Sequence, residues 1–263
     1  MSSNPVARRR PTHRKGRPTL TRESVGRAAL DFLDHHGPAE LTMRSLAADL
    51  GVSPRALYNY VEDRRDLLTV AAELFESEWR PPELESGRWR ESLRSYCRAL
   101  RAHYRSHPGM TTLALTENIT MARHPTMLRN VDALIGFFEA AGLSLQDAYR
   151  ACMETIRLVA GFVELQDIVY DRPPAHVNPA DLAQLPPPWL RPKDPEDSEE
   201  PKGSGSSSAS EDSEGSESSK PVGDLPHLAR LGELEPDSPD TLFAFSLDIL
   251  VEGIAARAAH PGE

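Results

Sequence analysis

The segment at positions 53–65, SPRALYNYVEDRR, gathers side chains suited to touching a nucleic acid. Arg55 offers a guanidinium fork that matches the edge of guanine, and Asn59 can bond adenine or a phosphate. Tyr58 and Tyr60 can bond phosphates or lay a ring against thymine methyls. Pro54 and Ala56 complete the same outward turn and a half. Arg44 and Arg64 flank the segment, spaced to clamp phosphates on either side. Residues 1–20 add Arg8, Arg9, Arg10, Arg14, Lys15 and Arg17 with no acid. That arm reads either as a solubilising tail or as a phosphate or minor-groove contact.

Charge follows the same division. The net charge of −10 is wrong for a DNA binder taken whole, but residues 1–65 carry twelve Arg/Lys against seven Asp/Glu, a net +5. The remainder carries −15. A nucleic-acid footprint needs a locally basic surface rather than a basic chain.

Other chemistry is thinly supplied. His103 and His107 stand i, i+4 apart and could share a metal, but two ligands fall short of the usual three or four. No metal and no cofactor is expected. The Ser-rich tract has no strand-elbow context for a nucleophile, and no Gly-rich phosphate loop occurs. No catalytic residue is therefore assigned, and the chain is expected not to be an enzyme. Cys97 and Cys152 lie within apolar helical patterns and read as buried free thiols. No apolar run is long enough to span a membrane, and no apolar stretch follows the basic N-terminus as in a secretory signal. The expected compartment is the cytoplasm, with no membrane partner.

The elements that must position these residues are all helical. Thr21 caps a first helix with Val25, Ala28, Ala29, Phe32 and Leu33 on one face, ended by Gly37. Thr42 opens a second helix that buries Leu46, Ala47 and Leu50. Gly51 permits the tight turn, and Ser53-Pro54 starts a third helix. Val52, Leu57 and Val61 pin that third helix inward. Asp63 caps a fourth helix carrying Leu67, Leu68, Ala71, Ala72, Phe75 and Trp79, stopped by Pro81-Pro82. The second and third helices have the layout of a helix-turn-helix, whose second helix enters the DNA major groove. A plain helical hairpin with a solvated polar face is the alternative.

Further helices are expected from about Trp89 to His107, within 110–123, from His124-Pro125 to Gly142, after the Ser144 cap, and from Pro239. The last carries Leu242, Phe245, Ile249, Leu250 and Ile254. No strand alternation appears, so the fold is expected to be all-α. Its parts are a basic arm (1–20), a three-helix DNA-binding domain (21–68), and a helical ligand-binding and dimerisation domain (69–172 with 225–258). Residues 173–224 are expected to form a linker, largely disordered, and from 191 it is acidic and Ser-rich, a composition that cannot bury enough apolar surface to fold.

These residues resemble the TetR family of bacterial transcriptional regulators. The resemblance is close over residues 20–68, where Leu57, Tyr58, Tyr60, Val61, Asp63, Arg64 and Leu67 meet the pattern LY-x-[HY]-[VF]-x-[DN]-[KR]-x-x-L. Residues 89–254 resemble the tetracycline-repressor subgroup through FFEAAGLSLQDAYRA, LVAGFVELQD and LFAFSLDILVEGI. The resemblance implies a homodimer on a palindromic operator and a small-molecule pocket in each C-terminal domain. It also implies a dimer bundle built by the Ser144 helix and the last helix. Gly161 and Gly253 sit inside apolar helices, where Gly costs about 1 kcal/mol relative to Ala. Close approach of another helix would offset that, unless the glycines are merely tolerated.

The chain departs from the subgroup at the drug site. A pocket glutamine corresponds to Leu134, and no histidine stands near Met110 to Thr112 to hold the drug's metal. A more apolar ligand than magnesium-tetracycline is implied. Glu164 falls near a pocket glutamate, or serves as a rim carboxylate. Tyr96, His103 and Phe138 either line the pocket or pack the core. The expected function is a repressor released from its operator by a small-molecule effector. The alternative is a ligand-independent DNA-binding regulator or activator working through protein contacts.

Overall fold

A computed structural model describes residues 20–110, 113, 116, 117, 119, 124–173, 226–235 and 237–259. The expectations for the arm and the linker fall almost wholly outside these residues. The chain is all-α, and no strand occurs among the described residues. It forms two compact units, one of residues 1–81 with 106–134, the other of residues 82–105 with 135–263.

In the first unit, α1 (Arg22–His36), α2 (Met43–Asp49), α3 (Pro54–Leu57) and α4 (Arg64–Glu78) start where the caps place them. Thr21 and Thr42 each accept a bond from the backbone N–H three residues on. Ser24 and Ser45 reach back to complete both capping boxes, which stabilises each helix start by about 1 kcal/mol. Asp63 accepts from the N–H of Asp66 at 2.8 Å. Gly37 (φ 78°) ends α1, and Gly51 (φ 62°) makes the turn that lets Val52 N–H bond the Ala47 carbonyl.

The core of this unit is made by Val25, Ala29, Leu30, Leu46, Ala47, Leu57, Leu67, Leu68 and Phe75, all buried. Each large side chain among them contributes roughly 1.5–3 kcal/mol by leaving water. α1 and α4 pack closely because position 26 is glycine: a Cβ there would stand 2.5 Å from Val70 Cγ1. The indole N–H of Trp79 donates to Asn130 Oδ1 at 2.8 Å.

The second unit is built on α5 (Trp89–Ser106), the end of α6 (Pro125–Ala140), α7 (Leu145–Phe162), α8 (Ile168–Asp171) and α10 (Pro239–Ala259). Short α9 (Pro226–Ala229) precedes α10. Ser144 caps α7 as expected, but the Asp147 carboxylate turns to Arg150 rather than back to the cap. A π-helical turn, Val163–Asp167, joins α7 to α8. It carries Asp167 inward, where Arg101 meets it with two bonds of 2.7 Å. Arg101 also donates to Asp240 at 2.8 Å and lies over the rings of Phe162 and Phe243.

Of the five apolar residues expected along α10, Leu250 and Ile254 turn inward. Phe243, Leu247, Leu250, Val251 and Ile254 are buried, whereas Phe245 and Ile249 are 66% and 60% exposed. α10 is apolar on both sides, so periodicity alone does not choose its inner face.

Candidate nucleic-acid interface

The reading segment is one turn of helix, Pro54–Leu57, continued by a non-helical turn through Tyr60. Leu57 and Val61 anchor it in the core, as expected. That rotation leaves Pro54, Arg55, Tyr58 and Asn59 exposed, with Ala56 and Tyr60 half-buried. Tyr58 exposes 54% of its surface although it is a large aromatic residue beside a closed core. Asn59 donates to the Ala56 carbonyl at 3.2 Å, which steadies its amide and leaves its oxygen available as an acceptor. Arg44 is exposed near the start of α2. The structure thus brings six of the eight expected contacts onto one short segment and sets Arg44 on the preceding helix.

Arg64 is placed differently from the phosphate clamp expected of it. Its Nε donates to the Leu41 carbonyl at 2.9 Å, Nη1 to Glu117 at 2.7 Å and Nη2 to the Pro38 carbonyl at 3.2 Å. The fork is occupied within the unit, so Arg64 acts as a strut between the α1–α2 loop, the start of α4 and Glu117.

Sequence reasoning missed Arg22. Its guanidinium donates to the Tyr60 carbonyl at 2.8 Å and to both oxygens of Asp66, at 2.8 and 2.5 Å. The bonds from Arg22 hold the Asp66 carboxyl below its ordinary range, against the opposing effect of burial. Asp66 also accepts from the N–H of Glu62 at 2.8 Å. Nothing local signals this pair, since its members are 44 positions apart.

The expected ligand residues lie deeper. Tyr96, Leu134 and Phe138 are fully buried, and His103 and Glu164 are half-buried. Two cavities of the second unit, of about 610 and 370 Å³, are lined by other residues. The larger lies between α7 and α10, with Tyr149, Met153, Ile249 and Gly253 on its walls. His107 is engaged by Asp34 at 2.6 Å and lies edge-on to Phe75. Burial pushes the thiols of Cys97 and Cys152 up to about 12 and about 11, so both are inert at neutral pH.

Comparison with known proteins adds to this geometry. The model for bacterial regulatory proteins of the tetR family matches residues 27–71, and that for the tetracyclin repressor-like C-terminal domain matches residues 81–258. The HTH-type transcriptional repressor DrrR1 of Streptomyces coeruleorubidus is 39% identical over 104 residues, which are 39% of this chain and 38% of that one. The class A tetracycline repressor from transposon 1721 of Escherichia coli is 30% identical over 157 residues, 55% of this chain and 66% of that one. Each match spans less than two thirds of the relative's length. Among solved structures, the TetR family protein ActR of Streptomyces coelicolor, in complex with actinorhodin, superposes with a TM-score of 0.65. At 23% identity, covering 94% of this chain and 100% of that one, it shows a shared fold.

Proposed function

The chain belongs to the tetR family of bacterial regulatory proteins and is a DNA-binding transcriptional regulator, and we propose that it is a homodimeric repressor released from a palindromic operator by a small-molecule effector. The observation that carries the DNA-binding role is the exposed Pro54, Arg55, Tyr58 and Asn59 surface on a segment whose Leu57 is wholly buried. Such a segment is fixed from behind and free in front, as major-groove reading requires. In a dimer, two copies would present it about 34–36 Å apart, one repeat of the duplex.

Dimerisation draws support from the second unit. Leu145 and Tyr149 on α7, with Phe245 and Ile249 on α10, are large apolar residues left exposed. A Cβ on Gly161 or Gly253 would meet nothing within 4 Å among the described residues, so these glycines serve no close contact there. A second copy laid across α7 and α10 would use both features, making a four-helix bundle.

The effector follows from linkage. A ligand releases the operator only through different affinities for the bound and free states, so operator must weaken ligand binding by the same factor. We place the effector among apolar compounds, since Leu134 replaces a polar pocket residue, and the protein in the cytoplasm. The full burial of each of Tyr96, Leu134 and Phe138 favours the alternative, a regulator that works through protein contacts without a ligand.

The test is to select duplexes from a random-sequence pool and titrate the enriched one. Arg55→Ala and Tyr58→Ala should each weaken binding by roughly tenfold, as loss of a good base contact does, without lowering the melting temperature. Unchanged affinity in both removes the segment from the interface. Once an effector is found, equal affinity with and without operator rejects ligand release.

A further inference from the structure

The reading segment is too short to hold its own shape. α3 has a single helical turn, and isolated helices of such length do not persist in water. Only Leu57 of it is buried, and Ser53 makes no side-chain capping bond. The near end is fixed by the turn, through Val52 N–H to the Ala47 carbonyl at 2.9 Å. At the far end, Tyr60 and Val61 N–H both return to the Leu57 carbonyl, and the Tyr60 carbonyl lies beyond the last helical turn. Arg22 takes up that carbonyl.

The same guanidinium grips Asp66 with both of its terminal nitrogens, and Asp66 in turn holds the N–H of Glu62. One side chain thus joins the first residue of α1, the end of the reading segment, the following loop and the first turn of α4. Bidentate pairs of this kind fix orientation as well as distance.

We propose that Arg22 is a positioning residue for DNA recognition: with Asp66 it fixes the pose of Tyr58–Tyr60, and so sets operator affinity and discrimination without touching the duplex. This rests on the reading of Tyr58 and its neighbours as DNA contacts. Arg22 is half-exposed and cationic, so the rival role is a direct phosphate contact. The two roles differ in what Asp66 does. A clamp needs the carboxylate, whereas a phosphate contact is hindered by it.

The experiment uses the duplex enriched by the wild-type chain from a random pool, and a scrambled duplex of the same composition. Arg22→Ala, Arg22→Lys, Asp66→Asn and the Arg22→Ala/Asp66→Asn double variant are titrated over a salt series, below each variant's melting transition. A clamp predicts roughly fivefold weaker operator binding in each single variant, the size of a well-formed ion pair. It also predicts no further loss in the double variant, unchanged affinity for the scrambled duplex and an unchanged salt slope. Lysine keeps the charge but cannot span Tyr60 and Asp66 together, so it should behave as alanine does.

The clamp is overturned if Asp66→Asn binds as well as or better than wild type, if Arg22→Lys restores binding, or if Arg22→Ala flattens the salt slope by about 0.9 per lost contact. Should Arg22→Ala not fold, Arg22→Lys and Asp66→Asn carry the same distinction. Parallel titration of Arg55→Ala and Tyr58→Ala separates the two failures. If these lose binding while every Arg22 and Asp66 variant keeps it, only the clamp falls. If they too bind normally, the contact reading beneath it falls.

Discussion

Glu76 lies near the end of α4, one turn after Ala72 and three residues before Trp79, both of which are buried. Helical spacing puts it on their face. It is 1% exposed, and neither carboxylate oxygen has a hydrogen-bond partner among the described residues. Burial alone pushes its carboxyl from 4.5 up to about 7. The folded chain therefore keeps this proton where the unfolded chain has released it. Stability from this group is full below about pH 4.5, falls as pH rises towards 7, and stays low above. The loss is on the order of 3 kcal/mol. Glu76→Gln removes the ionisation, so it should stabilise the protein at pH 8 and change little near pH 4.5. Denaturant midpoints at the two pH values check this, and an equal effect at both would mean that charge burial is not what Glu76 costs. Sequence reasoning passed over Glu76, although its spacing from Ala72 and Trp79 puts it on the buried face, and its lack of a partner leaves no local trace.

At the scale of elements, the π turn at Val163–Asp167 does what a regular helix would not. By adding a residue to the turn, it brings Asp167 under Arg101, and the two side chains are 1% and 8% exposed. A buried ion pair adds little over apolar packing, but breaking it leaves a stranded charge that costs about 3–5 kcal/mol. Arg101→Met should destabilise the protein by that amount, and Arg101→Met/Asp167→Leu should recover much of it. Thermal melts of the single and double variants decide, and additive losses would show that the pair is not a unit. Helix starts were legible because caps are local: Thr21, Thr42, Asp63 and Ser144 all cap as their neighbours require. So was the buried side of the reading segment, set by Leu57 and Val61. What lay beyond the sequence was anything paired at a distance. Arg64 finds Glu117 53 positions away, and Arg22 finds Asp66 44 away, so an exposed clamp and an internal strut look alike in one dimension. The π turn was hidden because Val163–Asp167 carries neither Pro nor Gly to mark a departure from regular helix.

At the scale of the whole molecule, the proposed dimer and its meeting with DNA would rest on exposed apolar surface and on the distribution of charge. Phe245→Glu with Ile249→Glu places two charges on an exposed apolar face, so the chain should fold yet sediment as a monomer. A monomer binds each half-site alone and loses the effective concentration of about 1 mM that a linked partner supplies, so operator affinity should drop more than 100-fold. A dimer that survives both changes would move the interface elsewhere. The basic arm tests the other half of the argument. Deleting residues 1–19 removes six Arg/Lys and no acid from a chain whose remaining charge is strongly negative. If the arm binds phosphates, each lost contact displaces fewer counterions, and the slope of log affinity against log salt should flatten by about 0.9. Operator and scrambled duplex would flatten together, because phosphates carry no sequence. An arm seated in the minor groove would also cost discrimination, since groove width and base edges are then read. We expect the flatter slope, because the positive charge of the first 65 residues is concentrated in this arm. A slope identical to that of the full chain would make the arm a solubilising tail and leave α2 and α3 to bind alone.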